Sequence, residues 1–215
     1  MNFLKKYNIK IKNKKLLEEA LTHSSYSNEH KNTNNYERLE YLGDSILNAI
    51  VSDYFYKKTT LNEGDMSKKR ASFVCEQALA YYGNQINLND YIRLGEGQKN
   101  KINESIIADV FEAIIAVIFI DQGFYTAKKF IYKTVIPSIK EDKLFFSDYK
   151  SALQELIQAN NNSVDYVVVK ERGSGNNKQF KVEARVGKNI YGTGTGKSKK
   201  EAEQEAAKNA FNKKV

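Results

Sequence analysis

A chain of 215 residues, 41% hydrophobic and 28% charged, holds enough apolar material for one large domain or two modest ones, and too much for disorder. Its single cysteine, Cys75, excludes a disulfide framework and points to a reducing, cytoplasmic setting, while a formal charge of +8 favours an acidic partner. Lys5, Lys6, Lys10, Lys12, Lys14 and Lys15 interrupt every early apolar run, and the stretch Ile106 to Ile120 is too short for a bilayer, so neither a secretory segment nor a membrane partner is expected.

In chain order, Leu16, Leu17, Ala20 and Leu21 form a short amphipathic face, and the polar run Ser24 to Asn34 reads as a loop. Helical spacing then continues to about Lys58, from Asp65 to Tyr82, from Glu104 to Ile120, and from Thr126 to Ile139 with Pro137 near its end. Cys75, beside Phe73, Val74 and Ala78, reads as a buried structural thiol. A charged connection, Lys140 to Asp148, separates this all-α part from a second pattern. A helix at about Asp148 to Gln158 precedes the β-branched run Asp165 to Lys170. Phe180, Val182, Ala184 and Val186 alternate with polar residues as a second strand, and Asn189 to Thr195 gives a third. Ser198, with Glu201 three residues on, marks a capping box for a helix through Phe211. The fold class is therefore multi-domain: an all-α unit, residues 1–143, followed by an α+β unit of order α-β-β-β-α, residues 147–215. The second is the more basic, with a surplus of 5 basic side chains in residues 147–215 against 3 in residues 1–146.

Chemistry concentrates in two acidic clusters. On a helix turning about 100° per residue, Glu37, Glu40 and Asp44 lie within about 60° of one another. Leu39, Leu42, Ile46 and Ile50 cover the opposite side, yet Leu47 and Val51 continue the acidic stripe. Such a helix is buried, which sets Glu40 and Asp44 in or beside the core. In Ile106 to Ile118 the only charges are Asp109 and Glu112, three apart and so on one face. Unpaired buried carboxylates cost several kcal/mol each, and neighbours repel unless a cation neutralises them. Four such groups suit Mg²⁺ or Mn²⁺, hard cations that take oxygen ligands. The plainer readings are a buried Lys or Arg partner from another element, and Glu37 as an exposed first-turn acid beside Arg38. His23 and His30 are too few for a histidine cage, and His23 reads as a hydrogen-bonded structural residue.

The run Glu37-Arg38-Leu39-Glu40-Tyr41-Leu42-Gly43-Asp44-Ser45-Ile46-Leu47 closely resembles the diagnostic motif of the ribonuclease III family. Leu21-Thr22-His23-Ser24-Ser25, Glu63-Gly64-Asp65-Met66-Ser67 and Ala108-Asp109-Val110-Phe111-Glu112-Ala113 agree with it, and the second unit resembles the double-stranded-RNA-binding domain of bacterial members. The resemblance implies an endonuclease that hydrolyses duplex RNA to 5′-phosphate and 3′-hydroxyl ends, with rRNA precursors and structured mRNA as substrates. It implies that Glu40, Asp109 and Glu112 bind metal, that Asp44 and Glu112 are catalytic, and that Glu37 supports the site or contacts RNA. The metal would be Mg²⁺, with Mn²⁺ as a substitute, lowering the pKa of a bound water so that no side chain need be the nucleophile. It further implies a homodimer, with Tyr41 (where the family usually has Phe) inserting into the partner and Gly43 allowing helices to approach closely.

RNA contacts are implied at Ser151, Gln154, Glu155 and Gln158 against 2′-hydroxyls, at Asn176 where a His is common, and at Lys197, Lys199 and Lys200 at a helix N-terminus. Backbone N–H groups, helix dipole and ammonium groups would all face phosphate there. The chain lacks the family's Gly-Gly-Arg segment before the second acidic helix and has Ala116 for a common glycine. Two other classes remain: a duplex-binding regulator that does not cut, which loss of an acid would have marked, and a nucleotide phosphohydrolase, which would not need an appended duplex-binding domain.

Overall fold

The computed structural model describes residues 3–99, 101–143, 145, 149–158, 162–173 and 178–212. It divides into two compact units, Met1–Phe145 and Phe146–Val215. The first is helical: α1 (Lys14–Ala20), α2 (Ser24–Glu29), α3 (Glu37–Lys58), α4 (Glu63–Phe73), α5 (Glu76–Gln85), α6 (Glu104–Gln122), α7 (Phe124–Thr134) and α8 (Ile136–Lys140). Its one β feature among the described residues is an isolated bridge between Thr22 and Arg93.

Helix α6 is the axis of this unit. From Ile106 to Ile118 every residue except Asp109 is buried, and α1, α3, α5 and α7 pack around it. Asn103 starts it by accepting a hydrogen bond from the Ile106 N–H at 3.0 Å, and Gly123, at φ 82°, ends it. α3 buries Leu39, Ile46, Ile50, Tyr54 and also Leu47 and Val51, as a helix apolar on two sides must.

α3 and α6 cross at Gly43. A Cβ built on this residue would fall 1.9 Å from the Glu112 carbonyl oxygen, so only a glycine permits this approach. The close approach that the sequence suggested for Gly43 is thus made to α6 of the same chain.

Three expectations change. The polar run after Leu21 contains α2, because the His23 side chain caps it, with Nδ1 accepting from the Ser25 N–H at 3.1 Å. Its sequence looks like a loop because the helix buries none of its own residues. The span Asp65 to Tyr82 is two helices, broken at Val74 and Cys75, and the first begins earlier because Asn62 accepts from Asp65 N at 2.9 Å. The last helical span is likewise two. Pro137 lies in the first turn of α8, where its missing N–H is no loss, whereas inside one continuous helix it would clash with the preceding turn. Cys75 is half-buried, its thiol donates to the Ser72 carbonyl at 3.3 Å, and burial raises its pKa.

The second unit comprises α9 (Tyr149–Gln158), an antiparallel sheet of β1 (Asp165–Arg172), β2 (Gln179–Val186) and β3 (Asn189–Gly196) in the order β1-β2-β3, and α10 (Lys199–Asn212). Its core joins Leu153 and Ile157 of α9, Phe180, Val182 and Ala184 of β2, and Ala202, Ala206, Ala207 and Ala210 of α10. α10 lies directly on β3. Cβ atoms at Gly192, Gly194 and Gly196 would come within 2.6 Å of α10 backbone atoms. Glycines spaced by two on a strand thus meet alanines spaced by four on a helix.

Replacing Gly43 by alanine should cost the full chain about 3 kcal/mol of folding free energy, the upper part of the usual range for overpacking a core. Urea denaturation followed by far-UV circular dichroism checks this, and a loss under about 0.5 kcal/mol would show that α3 and α6 can separate freely.

Candidate active site

Glu37, Glu40 and Asp44 occupy the first turns of α3, and Asp109 and Glu112 the second and third turns of α6. Because the two helices touch at Gly43 and Glu112, the acids that flank this point are forced together. Glu112 is 8% exposed, Glu40 and Asp109 are half-buried, and Asp44 and Glu37 are exposed. Asp44 therefore sits at the open edge of the cluster, farther from the core than its place in the apolar stripe suggested. It faces outward because the crossing at Gly43 brings α6 against the neighbouring side of α3.

The electrostatics follow from this crowding. Burial, reinforced by Asp44, Glu40 and Asp109, pushes the Glu112 carboxyl up to about 8. Glu40 is also raised, by burial first and then by Asp109, Glu37 and Asp44. Burial raises Asp109 as well, opposed by a hydrogen bond from Tyr36 and by nearby His23. Among the described residues no lysine, arginine or histidine forms an ion pair with Glu40, Asp44, Asp109 or Glu112. The buried basic partner that would make the cluster merely structural is not found there. Nor, among the described residues, do three or more His, Cys, Asp or Glu side chains converge closely enough to hold a metal ion.

Two neighbours escaped the sequence reading. The Tyr36 hydroxyl donates to Asp109 Oδ2 at 3.1 Å, and Asn48 Nδ2 donates to Asp44 Oδ1 at 2.6 Å. Asn48 could have been found, since it lies four residues after Asp44 on the same helix face. Tyr36 could not, because its partner is 73 positions away. Burial and the surrounding acids raise the phenol's pKa, so it remains a donor at any working pH. Tyr41 is 78% exposed on α3, and Ala116 is buried in α6.

In the second unit Lys197, Lys199 and Lys200 are all exposed where α10 begins. Ser198 caps the helix, accepting from Glu201 N at 3.1 Å, but the Glu201 carboxylate accepts from Lys197 N at 2.7 Å and does not close back on Ser198. Glu205 likewise accepts from Thr195 N at 2.7 Å. These two N–H groups are thus occupied by the chain's own acids, leaving the ammonium groups as the main anion-facing feature. On α9, Gln158 is exposed and Gln154 half-buried. The side chains of Ser151 and Glu155, and Asn176 entirely, lie outside the described residues.

Comparison with known proteins matches this division. Residues 13–139 match the family model described as Ribonuclease-III-like, and residues 149–214 match the double-stranded RNA binding motif. The chain is 45% identical to ribonuclease 3 of Phytoplasma mali, over 97% of this chain and 94% of that one. It is 41% identical to ribonuclease 3 of Halalkalibacterium halodurans, over 97% of this chain and 82% of the relative. Among solved structures, the nuclease domain of ribonuclease III from Campylobacter jejuni superposes with a TM-score of 0.58 at 37% identity, covering 63% of this chain and 95% of that one. With a ribonuclease-III-like match over the helical unit, a duplex-RNA-binding match over the αβββα unit and relatives aligned over nearly its whole length, the chain belongs to the ribonuclease III family.

Proposed function

We propose that this chain is an endoribonuclease that hydrolyses phosphodiester bonds of double-stranded RNA with a divalent cation, leaving 5′-phosphate and 3′-hydroxyl ends. The observation that carries the reading is the set of four coupled carboxylates at the α3–α6 crossing, with Glu112 buried and without a basic partner among the described residues. A donor set made only of oxygen, buried and crowded enough to hold a proton near neutrality, fits Mg²⁺, with Mn²⁺ as substitute. Mg²⁺ is commonly held by one or two carboxylates and keeps several waters, a requirement these acids can meet.

Glu40, Asp109 and Glu112 would hold the ion, and Asp44, at the open edge, would face the scissile phosphate with its carboxylate steadied by Asn48. When bound, the cation supplies positive charge to the phosphate and acidifies the attacking water. Glu112 would be held as a carboxylate when a cation is bound, because the ion's charge would offset both the burial and the neighbouring acids that otherwise keep it protonated. Glu37, exposed beside Glu40, is placed to meet RNA. The second unit holds the duplex through Lys197, Lys199 and Lys200, with Gln154 and Gln158 on α9 suited to 2′-hydroxyls.

Two copies would supply one acidic cluster for each strand, with exposed Tyr41 entering the partner. The Campylobacter jejuni nuclease-domain structure is described by a region involved in dimer formation, which supports this arrangement. Among the described residues no helix is long and apolar enough to cross a membrane. The cytoplasm is the proposed site of action, and rRNA precursors and structured mRNA the proposed substrates. A duplex-binding regulator that does not cut is disfavoured by retention of all four acids.

Glu112→Gln should abolish cleavage of a labelled duplex with Mg²⁺ while duplex affinity stays within about threefold, since a charge that holds the cation touches little RNA. Cleavage at the wild-type rate would remove Glu112 from the metal site. Without divalent cations, folded Glu112 keeps to about pH 8 a proton that an ordinary carboxyl releases near 4.5. The native state then binds more protons than the unfolded one across that interval, so stability falls as pH rises through it. Melting scans should therefore show wild type losing ground to Glu112→Gln between pH 5 and pH 8.5, with Mg²⁺ restoring wild type at the higher pH. Parallel curves for the two proteins would contradict the buried, uncompensated carboxyl. For the duplex surface, replacing Lys197, Lys199 and Lys200 by alanine should flatten the slope of log affinity against log salt by about two to three units and weaken all duplex sequences alike. A salt titration that leaves the slope unchanged in a folded variant would exclude these lysines from the interface.

A further inference from the structure

Asp109 has a partner that the proposed hydrolysis leaves without a role. Tyr36 is 4% exposed and lies at the entry to α3, where its hydroxyl donates to Asp109 Oδ2 at 3.1 Å. Its position is set by buried backbone. The Tyr36 N–H donates to the carbonyl of fully buried Thr22 at 3.0 Å. That segment is in turn tied to Arg93, whose N–H donates to the Leu21 carbonyl at 2.8 Å and whose carbonyl accepts from His23 N–H at 3.0 Å. The His23 ring packs against the Tyr36 ring, centroids 5.8 Å apart, and Ser25 N–H occupies its Nδ1. Segments far apart in sequence, around Thr22 and Arg93, therefore fix the phenol that meets Asp109.

Packing alone does not call for this hydroxyl, because phenylalanine would fill the same space without bringing a polar atom into the core. A hydrogen bond to a ligating carboxylate, by contrast, fixes its orientation before the ion arrives.

We propose that Tyr36 is a positioning residue for the cation, holding the Asp109 carboxylate through Oδ2 so that its other oxygen is presented to the ion. The inference rests on the reading of the four acids as a cation site. Tyr36 touches neither the phosphate nor the attacking water and acts only through Asp109.

The test uses the full chain and its Tyr36→Phe variant, with Mn²⁺ alone as the probe, titrated by the electron paramagnetic resonance signal of the free ion. Mn²⁺ affinity should fall about tenfold in the variant, the low end of what loss of a ligand's hydrogen-bonding partner costs. The Mg²⁺ concentration for half-maximal cleavage should rise by a similar factor, excess Mg²⁺ should recover most of the rate, and duplex binding in EDTA should not change. In an Asp109→Asn background the same substitution should add no further loss of Mn²⁺ affinity. A merely structural tyrosine would lower the melting temperature and leave Mn²⁺ affinity at the wild-type value, which overturns the proposal. Should Tyr36→Phe fail to fold, 4-fluorophenylalanine at position 36 fills the hydroxyl's space without donating, and the same two outcomes decide. A wild type that neither binds Mn²⁺ nor cuts a duplex removes the cation-site reading and this proposal together. A wild type that does both, beside an unchanged variant, removes this proposal alone.

Discussion

The backbone contact between Gly43 and Glu112 is the constraint on which the first unit depends. Two helices normally keep their axes 8–10 Å apart because side chains stand between them. Here one side chain is missing at the crossing, and α3 meets a carbonyl of α6 directly. The acids on either side of that point have no freedom to spread apart. Their repulsion, and the proton that Glu112 retains, are therefore consequences of a packing decision made by a residue that carries no charge. The acids are held in place because α6 is also packed by α1, α5 and α7.

The second unit uses the same economy of side chains for another end. Gly192, Gly194 and Gly196 bring β3 under the alanine face of α10. Flattening one face in this way fixes the start of α10 relative to the sheet, and the three lysines at that start inherit the position. In both units, small residues govern where large charged ones stand.

Much of this was legible in the sequence. Carboxylates inside apolar helical runs stand out because burial of charge is rare, and strands alternating every second residue separate readily from helices. Less visible were features whose signal is not periodic. α2 carries no apolar face, so nothing in its composition distinguishes it from a loop, and its cap is a histidine side chain. The breaks at Cys75 and Val135 interrupt patterns that remain helical on both sides. Asp44 was placed too deep because a helical wheel assigns faces but does not say which neighbour covers each. Tyr36 was beyond reach for a further reason. Its hydrogen bond joins positions 73 apart, and only the folded chain relates them.

The acids at the edge of the lysine surface also bear on timing. Glu201 and Glu205 already occupy backbone donors where α10 begins, and at the far end of β1 Glu171 pairs with Lys178 at 2.9 Å. If the lysines bind phosphate as proposed, a phosphate reaching past them to these backbone donors would have to displace carboxylates that stay tethered within reach. Such internal competition would shorten residence more than it would slow arrival, since long-range attraction depends on net charge while release depends on local replacement. For a protein whose partner is a long, uniform polyanion, rapid exchange between neighbouring positions would keep that surface from being trapped on the first stretch it meets.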